Sequence, residues 1–429
     1  MSDVTTDAAA LPSTDSARVL TRSWRAPISF AIFGVISLVV FGLTAPPDET
    51  STFRISTATD FVQIEPFAVP SRLVGILLSV ICLAIAAYAF WLVRQARKVP
   101  IWLTVTFGLA WVMAFLTWAV AGATISLTSL LQGAVALSVP LIFGALCGLI
   151  CERAGVINIA IEGQLLGGAF LSGVVASLTS SVWVGLVAAP IAGMLVAYVL
   201  AVFTVKYFVN QIIVGVVLNV LVIGLTNFLF SRLLSPDPAT WNSPGRFLRL
   251  KIPVLGDIPI IGPVLFDQNV IVYFLYIIVI VVHIALFRSR WGLRVRAVGE
   301  HPEAADTAGI RVNAVRFRNV LIGGAVAGFG GAYFTLGVSG LFSREMTAGQ
   351  GFIALAAMIL GRWTPIGAVF AGLLFGFANN LQSVLGIIGT PIPSEFMLMA
   401  PYIVTIFAVA GLVGRVRPPA ADGIPYIKS

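Results

Sequence analysis

Long runs without a formal charge constrain this chain more than any other feature of its sequence. Residues 269–287 are nineteen in succession without Asp, Glu, Lys or Arg, and about 20 apolar residues are what an α-helix needs to cross a bilayer. Comparable runs recur from near residue 27 to near residue 413. Of 429 residues, 59% are apolar and 10% charged, against roughly 25% charged in an average soluble domain. A water-soluble fold is thereby excluded. The alternation of polar and apolar residues that marks a β-barrel is absent, and 41 glycines suit helices that approach closely. The expected fold class is all-α, a polytopic integral membrane protein with about 10–12 transmembrane helices. The net charge of +8 does not point to nucleic acid, because the 22 arginines and four lysines sit mainly at the ends of apolar runs, where the positive-inside rule accounts for them. Cys82, Cys147 and Cys151 lie in or beside apolar segments without ligand-like spacing and read as small buried hydrophobes.

Taken in order, residues 1–25 are polar and lack the layout of a signal peptide, which predicts a disordered cytosolic tail. Arg18, Arg22 and Arg25 precede a first span at 27–45, which runs outward to an acidic loop with Asp48, Glu49, Asp60 and Glu65. A second span at 73–93 returns to Arg94, Arg97 and Lys98, and a third follows at 101–121. Glycines and buried polar residues become denser from about residue 125. Residues 26–124 therefore read as accessory helices and 125–415 as the working core. Spans four to eight fall at 132–150, 164–180, 182–205, 212–231 and 269–287, with a proline-rich loop between the last two that is external by parity. A ninth covers 319–341, and 346–360 is too short and too glycine-flanked for a plain crossing, so a re-entrant segment is one reading. Spans at 364–386 and 396–413 bring the chain to Arg415, Arg417 and a cytosolic tail at 416–429. This arrangement puts both termini in the cytoplasm. A short echo between Gly155-Val-Ile-Asn-Ile-Ala and Gly351-Phe-Ile-Ala-Leu-Ala suggests an inverted repeat with broken helices, a habit of transporters.

Between the apolar runs stands a polar island, 288–318, with seven arginines against Glu300, Glu303 and Asp306. The arginine excess places it in the cytoplasm. Within it, 301–309 reads as a short helix, since Pro302 suits a first helical position and Gly309 the residue past the end. Ala304, Ala305 and Ala308 give that helix a small-residue surface suited to a groove on a soluble partner. The alternative is an ordinary basic loop.

Few residues could carry chemistry. Glu162 and His283 are the ionisable side chains best placed within the membrane. Glu162 reads either as a functional carboxylate or as a charge at the positive end of a helix, and His283 as a packing residue. This scarcity argues against an ion-coupled secondary transporter, and the glycine-broken segments argue against a non-transporting membrane scaffold. Neutral amides are more numerous. Asn158, Gln164, Asn219, Asn227, Asn379 and Asn380 lie in or beside spans and could line a path for a neutral, hydroxyl-rich or heterocyclic solute, with interhelical hydrogen bonding as the alternative. The chain has no nucleophile with a base, no metal cluster and no Gly-Lys dipeptide, so no P-loop. It is expected to be no enzyme, and to need neither cofactor nor metal.

Three stretches carry a family resemblance: Glu152-Arg-Ala-Gly-Val-Ile-Asn-Ile-Ala-Ile-Glu-Gly-Gln-Leu-Leu-Gly-Gly-Ala-Phe170, Asn210-Gln-Ile-Ile-Val-Gly-Val-Val-Leu-Asn219 and Gly292-Leu-Arg-Val-Arg-Ala-Val-Gly-Glu-His-Pro-Glu-Ala-Ala-Asp-Thr-Ala-Gly-Ile310. They resemble permease subunits of bacterial ABC importers of the ribose and branched-chain amino acid type, in the nucleoside and simple-sugar branch. The resemblance covers about 125–415. It implies a membrane subunit working with a second permease subunit, a separate ATP-binding subunit and an external solute-binding lipoprotein, among membrane lipids. It also implies a coupling helix to the ATPase formed by Pro302, Glu303, Ala304, Ala305, Asp306, Ala308 and Gly309. Asn158 and Glu162 match the nucleoside-like branch, whereas ribose permeases show an aspartate-containing Gly-Gly-Ile-Asp-Leu segment. The first hundred or so residues exceed the usual permease length.

Overall fold

The computed structural model describes residues 23–56, 63–389, 399 and 417–428. Most of the expected tail at 1–25, most of the expected span at 396–413, and Arg415 lie outside the described residues. Among those described, ten helices are long and apolar enough to cross a membrane, and the protein is a multi-pass membrane protein. The chain divides into two compact units, residues 1–52 with 68–124, and residues 53–67 with 125–429.

The smaller unit is built from α1 (Arg25–Ile36), continued by a π-helical turn Ser37–Leu43, then α2 (Ser71–Arg94) and α3 (Ile101–Ala119). Its helices meet through aromatic and small residues. Phe30 stacks on Phe107 with ring centroids 4.4 Å apart, and the Ser37 and Ser79 hydroxyls bond at 2.8 Å. Ile28, Leu73, Leu77 and Leu109 point outward and are exposed, as apolar side chains facing lipid must be.

The larger unit is organised around α4 (Leu127–Glu152), whose apolar window is 89% buried against 28% for α8 (Val270–Arg288) at the periphery. Around it stand α5 (Ile161–Thr179), α6 (Val182–Ala201), α7 (Gln211–Leu229), α11 (Val312–Ala332) and α13 (Pro365–Ile388). Helices α6 and α11 pack through glycine: a Cβ on Gly193 would collide with the Gly324 carbonyl. Without a hydrophobic driving force inside lipid, such close backbone approach supplies the packing energy. Between α8 and α11 the arginine island folds into α9 (Arg290–Glu300) and α10 (Pro302–Thr307). Two rows of an antiparallel ribbon, Arg249–Lys251 and Asp267–Asn269, lie at the opposite end of the unit, before α8.

Two segments interrupt the bundle. After α4 the chain runs non-helically through 153–160 back to the level of Cys147, whose sulfur accepts from Asn158 Nδ2 at 3.2 Å, and only then begins α5. After a π-helical turn, Tyr333–Ser339, the chain returns through 340–349 to start α12 (Gln350–Leu360). Helix α12 descends beside α4, with Ala354 against Gly144 and Met358 against Gly148, to a turn where Arg153 Nη2 donates to the Trp363 carbonyl at 2.8 Å. Helix α5 starts at the same depth and runs the other way, with Ser172 bonded to Thr335 near the far end of α11. The segment at 346–360 is thus a half-helix of 11 residues, Gln350–Leu360, with its start inside the bundle. The short sequence echo is not the basis of this inverted pair. Gly155 and its successors are non-helical, whereas Gly351 and its successors are helical. Helix α11 also begins at Val312, earlier than the expected 319, so Arg316 and Arg318 belong to a helix and not to a loop.

Candidate functional site

The starts of α5 and α12 meet at Glu162. This side chain is 4% exposed. Its Oε1 accepts from the Thr347 hydroxyl at 2.6 Å and the Gly349 N–H at 2.8 Å, and its Oε2 accepts from the Gly351 N–H at 2.6 Å. A helix start leaves N–H groups unmet and carries partial positive charge. Two such starts converge here, so one carboxylate satisfies the beginning of α12 while its charge lies in the first turn of α5. A Cβ on Gly351 would strike the Glu162 backbone, and only glycine permits the approach.

The amides beside it serve the interrupted backbone. Asn158, fully buried, accepts from the Ala160 N–H at 3.0 Å and donates to Gln164 Oε1 at 3.1 Å. Gln164 is itself fully buried and accepts from the Cys147 thiol at 3.2 Å. Asn219 of α7, 4% exposed, accepts from the Gly163 N–H at 2.8 Å and donates to the Ile159 carbonyl at 2.9 Å. Gln211 at the start of α7 accepts from the Ile157 N–H at 2.6 Å. Irregular backbone at membrane depth is tolerated only where protein meets its hydrogen bonds, and these side chains do so. The structure therefore gathers Asn158, Glu162, Gln164 and Asn219 around the interrupted backbone, with Asn158 and Gln164 bonded to each other, Asn219 to the backbone of 159 and 163, and Glu162 to the start of α12. Asn227 lies apart, donating to Glu345 at 3.0 Å, and Asn380 donates to the Leu130 carbonyl at 2.7 Å on the α4–α13 face. Asn379, half-buried, is its neighbour on α13. His283 packs 5.6 Å from the Phe287 ring, and the three cysteines are free and buried.

At the arginine-rich end, α10 begins with Pro302 in its first turn and ends before Gly309 at φ +82. Its alanines do not share one face. Ala304 and Ala308 are exposed together with Glu303 and Gly309, Pro302 is half-buried, and Ala305 is 4% exposed in an apolar cluster with Val298, Val312 and Tyr426. Asp306 pairs with Lys428 at 3.4 Å. Beside the exposed face lies a cleft of about 580 Å³ lined by Arg294, Ala297, Ala308, Arg311, Ala314 and Arg318. Arg316 departs from its reading as a loop charge: it is 2% exposed and donates to the Ile424 carbonyl at 2.7 Å. Burial pushes the carboxyl of Asp422 up to about 7, opposed by a hydrogen bond from Glu152, by Arg316 and by the Gly423 N–H.

The opposite end holds a cavity of about 480 Å³ that includes none of the amides singled out above. Gln132, Arg246, Arg249, Gln268, Asn269 and Tyr333 line it. Asn269 Nδ2 donates to the Gly337 carbonyl at 3.2 Å across the π-helical turn that ends α11. Such turns recur at functional sites, but nothing in local sequence spacing links residues 132, 249, 268 and 333. Only the fold assembles them.

Comparison with known proteins adds the family. A model described as branched-chain amino acid transport system / permease component matches residues 129–409. The guanosine ABC transporter permease protein NupQ of Bacillus subtilis is 41% identical over 302 residues, 67% of this chain and 93% of that relative. The nucleoside ABC transporter permease protein NupC of Lactococcus lactis is also 41% identical, over 68% of this chain and 94% of its own. A putative glucose ABC transporter permease protein, TsgC13 of Haloferax volcanii, is 36% identical over 59% and 76% respectively. No solved structure matches the chain significantly. The helices α1 to α3 precede the matched region, which begins within α4 and carries the broken half-helices, the arginine island and α13. This chain belongs to the branched-chain amino acid transport system permease family.

Proposed function

We propose that this protein is one of two permease subunits of an ATP-driven nucleoside importer in a bacterial cytoplasmic membrane. The observation that carries the reading is the 41% identity with guanosine and nucleoside permeases across 93% and 94% of their lengths. The glucose permease is a weaker match over a smaller share of its length, so a monosaccharide is the second reading. The arginine-rich end and both termini face the cytoplasm, in keeping with the positive-inside rule. There the exposed face of α10, Glu303, Ala304, Ala308 and Gly309, enters a cleft of a separate ATP-binding subunit. An external solute-binding lipoprotein delivers the nucleoside to the other face, where the cavity at Gln132, Gln268, Asn269 and Tyr333 offers amide donors and acceptors and an aromatic ring. The protein performs no covalent chemistry itself. Hydrolysis by its partner drives exchange between outward- and inward-open states.

The test is uptake of labelled guanosine into proteoliposomes that hold the complete importer. Uptake should require internal ATP, resist an uncoupler and be competed by nucleosides but not by glucose. Uptake that follows a proton gradient in the absence of ATP would refute the reading. The docking face is tested by Ala308→Arg, which should release the ATP-binding subunit from a permease that remains folded.

A further inference from the structure

The C-terminal residues 417–428 carry no motif, yet they touch α9, α10 and α11 at the arginine-rich end. The Ala420 N–H donates to Glu300 Oε2 at 3.2 Å and the Ala421 N–H to the Gly299 carbonyl at 2.9 Å, which fastens the segment to the end of α9. Arg316 of α11 reaches the carbonyls of Ile424 at 2.7 Å and Ala421 at 3.5 Å. A buried guanidinium has five donors to satisfy, so these contacts hold the segment in place. At one edge the segment grips α10: Tyr426 packs with Ala305, and Lys428 pairs with Asp306. At the other edge it lies on the non-helical stretch that leads to Glu162. Gly423, at φ +75, is so near Ile157 that a Cβ would lie 2.7 Å from Ile157 Cδ1, and a Cβ on Gly155 would lie 3.1 Å from the Ala421 carbonyl.

We infer that residues 417–428 form a coupling strap, which carries displacement of α10 to the stretch 153–160 and so to the junction of α5 and α12. The inference rests on the proposed docking of α10 and adds the route by which docking reaches the transport core. Tyr426 and Gly423 are positioning residues at the two edges of the strap. Closely packed contacts of this kind transmit small shifts because they switch between discrete arrangements. Arg316 contributes to both ends, since its α11 backbone is rooted beside α10 while its guanidinium fixes the middle of the strap.

The experiment uses the assembled importer with full-length chains and guanosine as the probe. Gly423→Ala puts a methyl against Ile157 at a site remote from the exposed face of α10. The ATP-binding subunit should remain bound with basal hydrolysis within about twofold of wild type, while guanosine uptake and its coupling to hydrolysis fall about tenfold or more, the range of energetic coupling between linked sites. Adding Ile157→Val removes the nearest atom while the strain of an alanine at φ +75 remains, so it should restore uptake in part. Tyr426→Ala should uncouple in the same way, and Tyr426→Phe, which keeps the ring in the cluster and gives up only the hydroxyl's bond to Asp306, should uncouple less. Normal uptake in both Gly423→Ala and Tyr426→Ala overturns the inference. So does loss of the ATP-binding subunit from Gly423→Ala without rescue by Ile157→Val, which would make the segment a fold support only. If Ala308→Arg retains the ATP-binding subunit, the docking reading fails instead, and the two failures are thereby distinguished.

Discussion

Replacing Glu162 with Gln tests whether this carboxylate clamps the two half-helices or serves as an ion-coupling group. The amide keeps one acceptor oxygen and turns the other into a donor. It will aim its oxygen at Thr347 and Gly349, because the opposite choice strands two donors and this one strands only the Gly351 N–H. A buried donor left unmet costs about 1–3 kcal/mol, and loss of the charge at two positive helix ends adds up to about 2 kcal/mol, so the variant should be about 1–5 kcal/mol less stable. Glu162→Ala strands all three donors and should lose more. Denaturant titration of the purified permease in detergent measures the change, and uptake by the reconstituted importer should fall with it. A coupling carboxylate makes the opposite prediction, since neutralising a buried charge that must be loaded and released relieves its desolvation cost. If Glu162→Gln matches wild-type stability within about 0.5 kcal/mol, the ordinary range for surface changes, the clamp reasoning is refuted.

Ala305→Arg differs from Ala308→Arg because its side chain enters the cluster of Val298, Val312 and Tyr426. A buried unpaired cation there should destabilise the permease by about 3 kcal/mol or more, detectable without any partner present, whereas equal stability of the two variants would contradict the placement of Ala305. Asp422 should make attachment of the strap depend on pH. Its ordinary value is 3.8 and burial raises it to about 7 in the folded protein, so the native state holds its proton longer than the unfolded one. The stabilisation is complete below 3.8 and is lost as pH rises to about 7. Glu152, Arg316 and the Gly423 N–H face this carboxyl. Amide exchange in 417–428, corrected for intrinsic rates, should show protection falling over that window, and Asp422→Asn should flatten the profile. A wild-type profile already flat would count against the burial.

The spans were legible because lipid demands long uncharged helices and leaves a composition that local sequence displays. The expected run at 269–287 is the helix Val270–Arg288, and the expected run at 182–205 begins at the Val182 that opens α6. The short helix in the arginine island was legible for the same local reason, through a proline at its start and a glycine past its end. Which way its alanines face was not, since Ala305 turns inward only because Tyr426, more than a hundred residues away in sequence, comes to cover it. The amides near Glu162 were visible as polar residues in apolar sequence, but a solute path and a hydrogen-bonded repair of broken backbone require the same residue types. Tertiary structure supplies the partners that local sequence does not specify, placing Asn158 against Gln164 and Asn219 against the Gly163 N–H. Membrane composition is written residue by residue along the chain. The partner of a buried donor is set by which distant segment packs against it.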